Sequence, residues 1–136
     1  MIFQTFTSLI ETTGGSWLTE EKLSLLLAYA EVDVVDRHKQ ATMFSLIKNL
    51  LKNGVQHDRL PQIMNHLSET AIMSPLHNVR AQCRETLVDY IGGASDKEKN
   101  PKKHVEFFLD QIEYEYEFGR ISAAEMLHSS FKNLLP

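Results

Sequence analysis

Apolar residues recur at three- and four-residue intervals along nearly the whole chain, which is the spacing of one helical face. Ile2, Phe3, Phe6, Leu9 and Ile10 share such a face over residues 2–12, and Gly14-Gly15 closes it. Leu23, Leu26, Leu27 and Ala30 repeat the pattern over 19–32, with Thr19 as cap and Glu20 and Glu21 at the positive end of the helix. A corner at 33–36 leads to a third helix over 37–53. It places Met43, Phe44, Leu46, Ile47, Leu50 and Leu51 inside and Ser45, Lys48, Asn49 and Lys52 outside, and Gly54 stops it. No stretch alternates with period two for long enough to make a strand, so the class is all-α.

The second half continues in kind. A helix over 60–73 has Pro61 in its first turn and Leu60, Ile63, Met64, Leu67 and Ala71 facing inward. Pro75 ends that element, Asn78 is the expected cap of the next, and Gly92-Gly93 stops it. On this helix, 78–92, Cys83, Leu87, Tyr90 and Ile91 form the inner face, while Arg80, Arg84, Glu85 and Asp89 are expected in solvent. After a polar linker, Asn100-Pro101 restarts a helix to about residue 117, expected to bury Val105, Phe108, Leu109, Ile112 and Tyr116. Phe118-Gly119-Arg120 reads as a break. Ser122 then caps a last helix over 122–135, with Ala124, Leu127, Phe131 and Leu134 inside.

The helices carry a longer period. Leu46, Leu87 and Leu127 are 41 and then 40 residues apart, and Leu50, Ile91 and Phe131 take the same two steps. Self-similarity near 40 residues in helix pairs marks HEAT or armadillo stacking. A HEAT/armadillo-like α-solenoid of about three helix pairs is therefore favoured over a closed bundle, with repeats at roughly 19–54, 60–93 and 100–136.

Composition narrows the setting. The chain has 136 residues, 43% of them apolar, which suffices for a core, and a formal net charge of -4, which disfavours wholesale wrapping of nucleic acid. The single cysteine, Cys83, allows no internal disulfide and suits a reducing compartment. No apolar run approaches the roughly 20 residues of a membrane span, and the 25–30 run reads as a buried helix face. Met1-Ile2-Phe3 lacks the basic region of a signal peptide. Both ends fall inside amphipathic pattern, so the sequence reads as a piece of a longer solenoid.

Chemistry is sparse. Glu125-x-x-His128 has the spacing of a di-iron ligand pair, but that site needs a second copy and two further glutamates. His38, His57, His66, His77 and His104 fall at helix ends, loops or outer faces, and Cys83 lies on an apolar stripe without an evident histidine partner. The glycine pairs end helices and lack the strand a phosphate cradle needs. The expectation is no enzyme, no cofactor and no metal. Two charged stretches remain. Lys97, Lys99, Lys102 and Lys103 against Glu98 give +3, a candidate contact for RNA or an acidic partner. Glu106, Asp110, Glu113, Glu115 and Glu117 give -5, a ridge suited to something basic, although a solvated face explains both.

Three blocks together resemble a known family. They are Asp36-Arg37-His38-Lys39-Gln40-Ala41-Thr42-Met43-Phe44 with Leu46 and Lys48; Val79-Arg80-Ala81-Gln82-Cys83-Arg84 with Tyr90-Ile91; and Phe107 with Leu109-Asp110-Gln111-Ile112-Glu113-Tyr114-Glu115-Tyr116-Glu117-Phe118-Gly119-Arg120, then Ser122 and Glu125-Met126. In this order and spacing they are similar to the C-terminal part of the down-regulated-in-metastasis family, very long U3 small-nucleolar-RNA-associated proteins of the nucleolus. The resemblance runs from about residue 23 onward. It implies a non-catalytic scaffold in the small-subunit processome, needed for processing toward 18S rRNA. The implied partners are other processome proteins, with pre-rRNA or U3 small nucleolar RNA as weaker contacts, and no membrane or small-molecule substrate. A reading of another class is a generic HEAT or armadillo adaptor holding a peptide in its groove. Such grooves repeat Asn or Trp at matching positions of successive inner helices, and the only Trp here, Trp17, falls in a turn, which lowers that reading.

Overall fold

The computed structural model describes residues 21, 25, 40–54, 58–92 and 101–134, and no strand occurs among them. The described residues delimit five α-helices, α1 (Gln40–Lys52), α2 (Leu60–Met73), α3 (His77–Gly92), α4 (Pro101–Asp110) and α5 (Glu117–Leu134), with a 3-10 turn at Gln111–Glu113 between the last two. The expected helix over 2–12 lies outside the described residues. Of the one over 19–32 only Glu21 and Leu25 are described; both are helical and exposed, Leu25 at 59%, which corrects the buried reading of that position. The chain forms two compact units, 1–63 and 64–136, with α2 beginning in the first and continuing into the second.

In the first unit, Met43, Phe44, Leu46, Ile47 and Leu50 of α1 are buried, as the spacing predicts, while Ser45 and Lys52 are exposed. Gly54 ends the element with φ 68, and its N–H donates to the Leu51 carbonyl at 3.1 Å. A positive φ there is the left-handed stop that glycine adopts without steric cost.

In the second unit, Met64, Leu67, Ala71 and Ile72 of α2, Val79, Cys83, Leu87, Tyr90 and Ile91 of α3, Phe108 of α4, and Ala123, Met126 and Leu127 of α5 are buried. Two contacts set the register of α3 against α5. The Arg80 guanidinium lies over Phe118, and Arg84 bonds Ser122, so residues four apart on one helix meet residues four apart on the other in the same sense. The two helices run parallel. The chain returns between them through α4, whose His104 ring meets Tyr90 near the end of α3 edge-on at 6.1 Å.

Several sequence expectations give way here. α3 starts at His77, one residue before the expected cap Asn78, because the Leu76 carbonyl already accepts from the Arg80 N–H at 3.1 Å. Ser74 supports that start instead, its Oγ accepting from the Leu76 N–H at 3.3 Å. The helix expected to run to 117 stops at Asp110, and the final helix starts at Glu117 rather than 122. Consequently Leu109, Ile112 and Tyr116 are exposed at 47%, 44% and 51%, not buried. Ala124 and Phe131 also face outward; the neighbouring positions Ala123 and Met126, with Leu127, form the inner face of α5.

Candidate functional site

Pro75 has no N–H, so the Ala71 carbonyl, four residues earlier in the last turn of α2, has no helical partner. Ser122 supplies one. Its hydroxyl, buried to 1% exposure in the interior of α5, donates to Ala71 O at 2.6 Å. The same oxygen accepts from Arg84 Nη1 at 2.7 Å, and Arg84 Nη2 meets Glu125 Oε2 at 2.6 Å. Ser122, read from sequence as a helix cap, is thus a cross-link between three helices. A hydroxyl can donate once and accept twice, so one atom serves both neighbours.

Arg80 makes the second anchor. Its Nη1 donates to the Ser74 carbonyl at 2.8 Å, at the C-terminal end of α2, where the helix dipole favours a cation. Its guanidinium carbon lies 4.8 Å from the Phe118 ring centre, and Tyr116 stacks nearly parallel on Phe118 at 5.6 Å. Arg80 is only 8% exposed, which corrects its expected place in solvent. A carbonyl terminus and an aromatic face replace the water that an arginine on a polar stripe would otherwise keep.

The bend between the 3-10 turn and α5 is held from its own far side. Tyr114 takes an extended conformation, φ -57 and ψ 146, and Arg120 Nη1 donates to the Tyr114 and Glu115 carbonyls at 2.8 and 3.0 Å. These are carbonyls that the break in helix removes from the ladder. Gly119 completes the joint: a Cβ there would meet the Tyr114 ring, with Cε1 at 2.7 Å, and the Ile72 carbonyl oxygen at 3.0 Å. Glycine lets α5 lie directly against the end of α2 and lets Tyr114 cover it. The residues that carry the family resemblance in the second and third blocks therefore meet in space, Arg80 with Phe118 and Arg84 with Ser122.

The lysines singled out from sequence fare differently. Lys97 and Lys99 lie outside the described residues. Lys102 and Lys103 are exposed on the first turn of α4, and Lys102 Nζ sits 3.7 Å from Glu106 Oε1. All five ridge carboxylates, Glu106, Asp110, Glu113, Glu115 and Glu117, are exposed. His104, expected at the surface, is buried against Tyr90, and that burial, with Lys103 beside it, lowers its pKa below the usual 6.5. Burial pushes the Cys83 thiol up to about 12 despite the neighbouring Arg84, so it stays protonated. Among the described residues no three His, Cys, Asp or Glu gather to hold a metal ion, and no helix is long and apolar enough to cross a membrane.

Sequence reasoning missed Ser122, Gly119 and Arg120 as joint residues. One signal was available, since Pro75 announces an orphaned carbonyl at Ala71. Nothing local says which distant hydroxyl answers it.

No family model matches the chain. Over 116 residues, 85% of its length, it is 23% identical to U3 small nucleolar RNA-associated protein 20 of Schizosaccharomyces pombe (strain 972). The chain spans about 5% of that relative's length.

Proposed function

We propose that this chain is a non-catalytic scaffold segment of a nucleolar ribosome-biogenesis protein, one part of a long α-solenoid that supports small-subunit processome assembly and 18S pre-rRNA processing. The observation that carries this reading is the similarity over 85% of the chain to a protein named for its association with U3 small nucleolar RNA. The solenoid part draws on the parallel pair α3 and α5 with α4 returning between them, and on the 41- and 40-residue steps between the buried Leu46, Leu87 and Leu127; Phe131, exposed, does not share the step of Leu50 and Ile91. The built features of the second unit serve position rather than reaction. Ser122 and Arg84 are spent on holding three helices in register, and the Cys83 thiol is buried and protonated.

The test is affinity purification of the tagged chain from nuclear extract, with U3 small nucleolar RNA and an abundant spliceosomal RNA quantified in the eluate. Enrichment of the U3 RNA together with processome proteins is expected. Recovery of soluble partners without any enrichment of U3 over the spliceosomal RNA would overturn the assignment in favour of a general helical adaptor.

A further inference from the structure

Exposed apolar side chains concentrate in one short segment. Leu109, Ile112, Tyr116 and Ile121 are 44–51% exposed, and they make up four of the seven large apolar side chains on the surface of the described residues. Scattered singly such residues mean little; grouped, they mark contact surfaces. Leu109 and Ile112 stand three apart where α4 tightens into the 3-10 turn, so they lie one above the other. Tyr116 follows in the bend, its ring braced on Phe118 and Tyr114 rather than covered by them.

The charge around these side chains is predominantly negative. Glu106, Asp110, Glu113, Glu115 and Glu117 alternate with them, every one exposed, and no lysine or arginine occurs between Val105 and Gly119. Arg120 is exposed and bonds the Tyr114 and Glu115 carbonyls, so it brings one positive charge into the bend against these five carboxylates. A row of apolar anchors set among carboxylates repels phosphate backbones and anionic lipid headgroups alike. It suits a polypeptide helix with lysine or arginine beside apolar residues at three- and four-residue spacing.

We infer that the α4 to α5 bend is a docking surface for a basic amphipathic polypeptide helix, with Leu109, Ile112 and Tyr116 as apolar anchors and Asp110, Glu113 and Glu117 as the charge complement. This goes beyond the scaffold role and does not depend on which particle the chain serves.

The probe is a fluorescein-labelled leucine/lysine peptide of about 18 residues, roughly five helical turns. Its comparison is a serine/lysine peptide of equal length and charge, both titrated against the whole chain by anisotropy. Binding of the leucine/lysine peptide at least about tenfold tighter than the serine/lysine peptide is expected, a difference of about 1.4 kcal/mol. Leu109→Ser with Ile112→Ser, and separately Asp110→Lys with Glu113→Lys, should each weaken it by about tenfold or more. Circular dichroism checks that each variant keeps its helices. The peptide comparison uses the unaltered chain and stands whatever the variants do. Equal binding of the two peptides, unchanged affinity in both folded variants, or preferential binding of polyuridylate RNA would each overturn the proposal.

Discussion

Residues 113–122 present two sides of one segment, and the two are held by different physics. The inner side, Tyr114, Phe118, Gly119 and Ser122, is fixed by contacts with α2 and α3, down to a hydroxyl bond of 2.6 Å and a carbonyl that leaves no room for a methyl group. The outer side, Glu113, Glu115, Tyr116 and Glu117, is exposed. Alternation of aromatic and acidic residues makes the segment look uniform in sequence. In space Tyr114, Phe118, Gly119 and Ser122 belong to the joint, and Glu113, Glu115, Tyr116 and Glu117 to the surface. A distinctive motif can therefore be architecture and contact face at once, and each side answers to a different measurement.

The largest effect should come from filling the inner side. Gly119→Val forces a branched side chain against the Tyr114 ring and the Ile72 carbonyl, and overpacking of this kind costs about 3 kcal/mol. Gly119→Ala makes a sharper case, because two effects oppose. Helix propensity gains up to about 1 kcal/mol, whereas the clash costs about 1–3. Backbone at Ile72 cannot rotate away as a side chain can, so packing should win and Ala should also destabilise, though less than Val. Glu115→Gln on the outer side should change stability by less than about 0.5 kcal/mol. Urea denaturation of the three variants measures all of this. A stabilised Gly119→Ala variant would show that the inner side is looser than the structure indicates.

A smaller effect tests whether Ser122 really answers Pro75. Ser122→Ala leaves the Ala71 carbonyl without a partner and removes an acceptor from Arg84, a loss of about 2 kcal/mol. Pro75→Ala restores an N–H at the position from which a helix would satisfy Ala71. In that background Ser122→Ala should cost about 1 kcal/mol less, and the double-mutant cycle cancels the effect of proline on the unfolded chain. Strict additivity of the two substitutions would break the link between the proline and the distant hydroxyl.

What the sequence made legible follows the same division. The bounds and inner face of α2, the stop at Gly54, Met43 to Leu50 of α1 and Cys83, Leu87, Tyr90 and Ile91 of α3 rest on local periodicity and on glycine and proline, and were readable; Leu51, half-buried, and the buried Val79 and Thr86 were not. The break at Tyr114 to Tyr116 was not. Glu-Tyr-Glu-Tyr-Glu contains no glycine or proline, so its local preferences permit a continuous helix. The break exists because Arg120 caps the freed carbonyls and Tyr114 docks on Gly119, both contacts made only once the chain has turned. Gly119-Arg120, read as the interruption, lies inside α5 and holds the interruption in place. Arg80 and His104 were misplaced for a related reason. Polar side chains follow their partners into the interior, and a carbonyl terminus or a tyrosine edge has no signature at a fixed spacing.

The smallest expected effect belongs to the basic stretch ahead of the acidic ridge, and it extends the comparison from stability to binding. Lys102 and Lys103 stand exposed on the first turn of α4, where phosphate can reach them, and Lys97 and Lys99 come shortly before them in sequence. Two features hold the gain down. Lys102 is already shared with Glu106 at 3.7 Å, and five carboxylates follow within the next turns, which turn a long duplex away from α4. Contact with structured RNA should therefore be weak, indifferent to sequence and steeply weakened by salt, since each phosphate neutralised releases its counterions. Replacing Lys97, Lys99, Lys102 and Lys103 by Glu should lower affinity a few-fold at low salt and leave the urea midpoint unchanged. The measurement is an anisotropy titration of a labelled RNA hairpin at two salt concentrations. Equal affinity of wild type and variant would make the lysines a solvated turn and leave the acidic, apolar bend as the face of this segment that meets a partner.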